Sequence, residues 1–221
     1  MPDATDRFRV RYRAGISRHY HGLMHGVFVL AYGAAWIGFF VSQVNSLRSW
    51  EWLAIAVGLV LFNLGEYGVH RGLGHRKHAL GTLFYKRHTG DHHSFFVMDR
   101  MPFESLRDWR VVLFPAWLIV LFSLLALAIW ALLSLWNANV AALLSATLLG
   151  GYLLYEVMHL CEHLPDQHPI TRLPGIAHMR HLHALHHRRD LMTTRNFNLV
   201  FPLTDWLLGT LHWEPMPRKD Q

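Results

Sequence analysis

The sequence predicts an all-α integral membrane protein, with four transmembrane helices in two hairpins and a cytosolic, histidine-rich helical cap. Three observations predict it. The 221 residues are 52% apolar, and the apolar residues gather in long uncharged runs instead of spreading evenly as a soluble core requires. Four runs reach the length of about 20 residues that a helix needs to cross the hydrocarbon layer. Ten of the 18 histidines fall in four tight clusters beside the ends of those runs.

The elements follow in chain order. Residues 1–22 are polar and basic, with Arg7, Arg9, Arg11, Arg13 and Arg18. No short apolar segment with a small-residue cleavage site stands behind those charges, so a cytoplasmic tail is expected and not a cleaved signal. Spans are expected at about 23–44, 50–69, 111–136 and 140–159, within one domain covering 1–221. The links at 45–49 and 137–139 are short, whereas the loop from His70 to Arg110 is long and carries Arg71, Arg76, Lys77, Lys86, Arg87, Arg100, Arg107 and Arg110. By the positive-inside rule the N-terminus, that loop and everything after His159 are cytoplasmic, and the two short links lie on the far side. Pro115 fits a first helical turn or a mild kink. Gly22 and Gly26 have helix-packing spacing, which alone carries no weight.

Composition excludes several chemistries. A single cysteine, Cys161, builds neither a disulfide framework nor a thiolate-bound iron-sulfur cluster within one chain, so a redox metal must be held by nitrogen or oxygen. The net charge of +6 comes from Lys and Arg flanking apolar spans, where anionic headgroups and topology account for it without nucleic acid.

The chemistry-bearing residues lie in the clusters. His70 and His75 stand in EYGVHRGLGH; an unbroken α-helix would set them about 140° apart, and Gly72 and Gly74 allow the break or bend that brings them together. HTGDHH holds His88, His92 and His93, and a helix there puts His88 and His92 on one face with His93 beside them. YEVMHLCEH supplies His159 and His163 four apart, and HLHALHH supplies His183, His186 and His187 on one face. A lone histidine near a membrane surface is ordinarily an interfacial or hydrogen-bonded side chain. Ten at one level would lose hydration and repel one another when protonated, so shared cations are the better reason for collecting them. Ten donors exceed the four to six that one metal uses, which makes two metals the economical reading. His19, His21, His25, His78, His168, His178, His181 and His212 keep the ordinary reading. Glu66 and Glu156, close before His70 and His159, would either receive the free ring N–H of a ligand or pair with Arg71 or Arg180. Asp91 and Glu162 stand inside clusters with either a site role or a solvated one.

From Glu66 to Thr210 these residues resemble the fatty acid hydroxylase and sterol desaturase superfamily, and within it the fatty acid 2-hydroxylase branch. Glu66, Tyr67, His70, Arg71 and His75 resemble its EYxxHRxxxxH-like segment. Tyr155, Glu156, His159 and His163 resemble its YDxxHxxxH element, and His183, His186 and His187 its final HxxHH. Asn196 and Phe197 resemble an NFG-like stretch, and Asp205, Gly209 and Thr210 a D-x-x-x-GT ending. The second cluster departs from the family's HxxHH by one residue, which makes the placement of His88 the least secure. The resemblance implies a di-iron centre, which would also accept zinc in a structure, held by these ten histidines as metal ligands and catalytic residues. It implies oxygen-dependent hydroxylation of an acyl chain, with molecular oxygen as co-substrate. No cytochrome b5 domain is expected in the chain, so electrons would come from an external donor such as a cytochrome b5 or ferredoxin.

Breaking an unactivated C–H bond needs an oxidant that no side chain supplies. Desaturation or sterol C–H oxidation is the runner-up within the same chemistry. A metal transporter or sensor is the rival from another class, disfavoured because its ligands would sit near the midplane on broken spans and these stand at span ends. HExxH is absent, which disfavours a zinc protease.

Overall fold

The computed structural model describes residues 3–79 and 81–215, and among them there are helices and loops but no strand. Helix α1 (Ala4–Ala14) starts on Asp3, whose side chain accepts from the backbone N–H of Asp6 at 2.8 Å. Next come α2 (Gly22–Ser42) and α3 (Leu53–Val69), the latter running straight into a π-helical turn at His70–Gly74. Short turns follow: α4 (Thr82–Tyr85), a second π-helical turn at Lys86–His92, α5 (His93–Phe95) and α6 (Trp109–Val112). Then come α7 (Trp117–Ser134), α8 (Ala138–Glu162), α9 (Pro174–His186) and α10 (Leu203–Leu207). Four stretches are long and apolar enough to cross a membrane: Gly22–Ser42, Ser49–Gly74, Trp117–Ser134 and Ala138–Glu162.

Helix α8 is the hub. Half of its apolar stretch is buried inside the protein, against 17% for α2 and α7, because α2, α3 and α7 all pack on it. Close approach is built from small residues, as expected where lipid gives helices no hydrophobic reason to associate. At Gly151 a Cβ would lie 2.4 Å from Cγ of Phe62, so only glycine admits that ring from α3. The spacing of Gly22 and Gly26 proves purposeful, though not for a partner span: a Cβ on Gly22 would lie 1.9 Å from the Leu106 carbonyl, and one on Gly26 would lie 2.9 Å from the Trp109 ring.

The two short links meet at one end of the bundle. Asn139 and Asn45 exchange bonds of 2.9 and 2.7 Å, and Glu51 accepts from Asn137 and Asn139 at 2.9 Å each. The histidine clusters, α1, α9 and α10 gather at the other end.

Two expectations need correction. The third run is not one helix from residue 111 to 136. Pro115 interrupts it: α6 stops at Val112, Leu113 is extended at ψ 145°, and α7 begins only at Trp117. The ring disfavours helix at the residue before it, and the chain uses that break to turn from the cap into the bilayer. The basic N-terminal segment is also more than a topological tail. Arg9, 4% exposed, donates to the carbonyls of Phe95 and Arg100 at 2.8 and 2.7 Å and to Glu104 at 2.6 Å. Arg13 clasps Asp108 with two bonds of 2.8 and 2.7 Å, and Arg100 pairs with Asp6. Residues 4–14 are thereby part of the cap.

Gly151→Ala is expected to lower thermal stability in detergent by about 1–3 kcal/mol through overpacking against Phe62. Gly38, with nothing within 4 Å of its Cβ position, should accept alanine without loss. Equal melting temperatures for the two variants would contradict this account of the α3–α8 contact.

Candidate metal centre

Nine histidines converge in two buried groups, His70, His75, His88, His93 and His186 in one and His92, His163, His183 and His187 in the other, with the ligand atoms of each group within 4.8 Å of one another. The tenth, His159, reaches the second group through its Nε2, 3.2 Å from Nε2 of His92. The π-helical turns decide the partition. A π-turn closes over five residues instead of four, so His70 meets His75 and His88 meets His93, in each pair i and i+5. This corrects the α-helical reading of the second cluster, in which His88 and His92 shared a face. His88 joins His93 at an Nε2–Nε2 distance of 3.1 Å, and His92 turns to His187 at the same distance. On α9 the α-helical spacing holds: His183 and His187 are 2.9 Å apart in one group, and His186 faces the other.

Oxygen atoms behind the rings fix which nitrogen faces inward. The Nδ1 of His70 meets the Phe197 carbonyl at 2.5 Å, that of His92 the Val111 carbonyl at 3.0 Å, and that of His163 the Met101 carbonyl at 2.7 Å. His186 and His187 face the carbonyls of Arg195 and Phe96 at 2.7 and 2.8 Å. His75 faces Oγ1 of Thr89 at 3.2 Å, whose own proton goes to the Gly74 carbonyl. A carbonyl only accepts, so each Nδ1 carries the proton and each Nε2 presents a bare lone pair. His75 and His186 therefore point lone pairs at each other across 2.9 Å, and His92 and His187 across 3.1 Å, with no proton between them. His163 Nε2 is buried without a partner. Such an arrangement is costly unless a cation sits among the nitrogens, and neutral imidazoles with a backed Nδ1 are what a metal requires.

Burial keeps the rings neutral. It pushes His92 down to about 3 and His186 to about 4. His88, His93, His163, His183 and His187 are held well below the ordinary imidazole value by burial first and by neighbouring rings second.

The carboxylates behave differently from the sequence expectation. Glu66 touches neither a ring nitrogen nor Arg71; it accepts from the backbone N–H of Leu199 and Val200 at 2.6 and 3.1 Å and from Asn198 at 3.0 Å. Arg71 instead donates to the Tyr67 hydroxyl at 2.6 Å. Glu156 accepts from Tyr152 at 2.7 Å and the Phe114 N–H at 3.3 Å, while Arg180 pairs with Asp166. The carboxyl group nearest a ring is that of Glu162, fully buried, with Oε2 2.6 Å from Nδ1 of His183 but without the alignment of a hydrogen bond. Asp91 is half-buried and no bond joins it to a cluster histidine among the described residues.

A C-terminal strap missed by residue-level reasoning completes the site. Asn63, in the apolar middle of α3, accepts from the N–H and hydroxyl of Thr204 at 3.0 and 2.7 Å and donates to the Phe201 carbonyl at 2.6 Å. Asn198 and Asp205 bond each other's backbone, and Thr210 donates to Asp205 at 2.6 Å. Glu66 and Asn63 thus hold the strap whose Phe197 carbonyl orients His70. A polar residue inside a span was the available signal. His178 and His181 lie outside both groups, against Trp213.

The model of the family described as fatty acid hydroxylase matches residues 55–210, which take in both histidine groups and the strap to Thr210. The chain belongs to the fatty acid hydroxylase family. Comparison with curated proteins and with solved structures gave no match. Membership carries oxidoreductase chemistry, and the four apolar helices make this family member a multi-pass membrane protein.

Two outcomes follow for the fatty acid hydroxylase fold. Unfolded histidines titrate near 6.5, whereas folded His186 and His92 resist protonation down to about 4 and 3. The unfolded chain therefore binds more protons between those values, so the stability of metal-free protein is full above about pH 6.5 and falls as pH drops toward 4; a melting temperature flat from pH 7 to 4.5 would refute this. Glu66→Ala leaves three strap donors unpaired and should cost on the order of 3 kcal/mol in thermal unfolding, whereas an unchanged melt would mean the strap is held without it.

Proposed function

We propose that this fatty acid hydroxylase family member inserts one oxygen atom into the acyl chain of a membrane lipid at a two-iron centre held by the ten histidines. The observation that carries the reading is the coincidence of inward lone pairs with a lipid-shaped space. A cavity of about 280 Å³ lies among α3, α7 and α8, lined by apolar side chains from Leu61 and Ile129 up to Phe84 and Phe114, and closed at its upper end by His70 and His88. Leu61 and His70 are nine residues apart on α3, so the space extends about 14 Å at 1.5 Å per residue, enough for about ten extended methylenes.

Iron would supply the oxygen activation that attack on a C–H bond requires and no side chain provides. The protein's share is to bind and to position. His70, His75, His88, His93 and His186 would hold one ion, and His92, His159, His163, His183 and His187 the other. Carbonyls behind His70, His92, His163, His186 and His187 keep those donors aimed and deprotonated at Nε2. Apolar walls take the acyl chain, exclude water from the reacting carbon, and by the depth of the cavity set which carbon reaches His70 and His88. An imidazole set is neutral, and Glu162, beside His183, is the carboxyl group that would offset a bound cation by giving up its proton. The basic loop and tail support a cytoplasmic placement of both termini and the metals, where a cytochrome b5 or ferredoxin would deliver electrons.

Lipid mass spectrometry of cells with and without the protein tests the reaction. A gain of one oxygen on an acyl lipid, lost in His186→Ala, is the expected result; loss of two hydrogens would mean desaturation, and no lipid change with metal and reductant present would reject both. Metal analysis should give two equivalents per chain for the wild type and about one for His186→Ala. Ala126→Phe, narrowing the cavity from α7, should move the product distribution toward shorter chains, and an unchanged distribution would remove the cavity from substrate binding.

A further inference from the structure

Two arginines lie close together in the cap, and neither is closed into an ion pair among the described residues. Arg87, one residue before His88, donates from Nη2 to the backbone carbonyl of Arg110 at 2.8 Å, which holds its guanidinium beside that residue. Both residues are half-buried, and burial first and the Arg110 charge second lower the pKa of Arg87. Among the described residues neither forms an ion pair with a carboxylate. Carboxylates close by in the cap are taken: Glu104 and Asp108 by Arg9 and Arg13. Asp91 feels both arginines yet closes on neither. Nη1 of Arg110 is buried with no hydrogen-bond partner at all. Buried donors are satisfied almost without exception, and two like charges sharing a half-buried place destabilise the fold unless something negative joins them.

We propose that Arg87 and Arg110 form a binding site for the anionic headgroup of a membrane lipid, its phosphate or carboxylate oxygens received by the two guanidinium forks. Guanidinium geometry suits such oxygens, which accept two parallel N–H bonds from one fork. Position selects a lipid over a free ion. Arg110 precedes the first residue of α7 by seven positions, and its neighbour Trp109 packs on Gly22 and Gly26 in the first turns of α2. Tyr20, two residues ahead of α2, and Tyr12, whose hydroxyl donates to the Arg110 carbonyl at 3.4 Å, complete an aromatic surround at the level where spans leave the hydrocarbon. The site is separate from both histidine groups and does not require the proposed reaction.

Native mass spectrometry of the detergent-purified protein tests this with three probes: dioleoyl phosphatidic acid, dioleoylglycerol and inorganic phosphate. One phosphatidic acid should be retained about tenfold to a hundredfold more tightly than dioleoylglycerol, the span expected for charge-assisted bonds to a phosphate. Arg87→Gln and Arg110→Gln should each remove most of that preference, Arg110→Lys should keep part of it, and Arg11→Gln, at an exposed arginine, should leave it intact. Millimolar inorganic phosphate should not displace the lipid; if it does, the site takes a free anion and the lipid assignment is wrong. Equal retention of the two lipids by the wild type, or a loss in Arg11→Gln as large as in Arg110→Gln, would overturn the site. Arg110→Lys and the wild-type comparison decide the matter even where a glutamine variant fails to fold.

Discussion

Imidazole lone pairs opposed across 2.9 and 3.1 Å, with no proton between them, are the constraint on which the rest of the structure depends. A protein cannot leave that arrangement to side-chain preference, because each ring would otherwise turn or take a proton from water. Every element of the cap contributes an acceptor or a wall that forbids this. Met101 and Phe96 offer their carbonyls from the long loop, Val111 from α6, and Arg195 and Phe197 from the C-terminal strap. Helix α1 acts one step further out, since Arg9 grips Phe95 and Phe96 with its guanidinium 4.9 and 5.6 Å from their rings, and Phe96 stacks on His163.

The membrane-spanning part answers a different demand, and α8 is where the two meet. Its lower two thirds carry the small residues that let α2, α3 and α7 approach, and its last turns carry Glu156, His159 and Glu162 into the cap. One rigid helix thus fixes the level of the histidine groups relative to the apolar cavity.

Much of this was legible in the sequence. Four spans follow from apolar run length, and the ten histidines follow from their clustering. Their partition into two groups was not legible, because it turns on π-helical turns at His70–Gly74 and Lys86–His92, and the period that creates them leaves no mark in hydropathy. Nor did the carboxylates announce their partners. Glu66 and Glu162 stand at similar distances from a histidine along the chain, yet one holds a strap and the other lies beside a ring, a difference made by residues over 130 positions away for Glu66 and 21 for Glu162. Arg9 and Arg13 look like topological charges, because a burial made by a distant loop cannot be seen from local composition. Asn63 was the missed clue: an amide in the middle of a span has to bond something.

The strap follows all four spans in the order of synthesis. His70 is made 127 residues before the Phe197 carbonyl that orients it, so its span reaches the bilayer with the ring unbacked. Insertion of the first three spans and completion of the histidine pocket are therefore successive events. Closure of Asn198 and Thr204 onto Asn63 and Glu66 is the step that sets the Phe197 carbonyl behind His70.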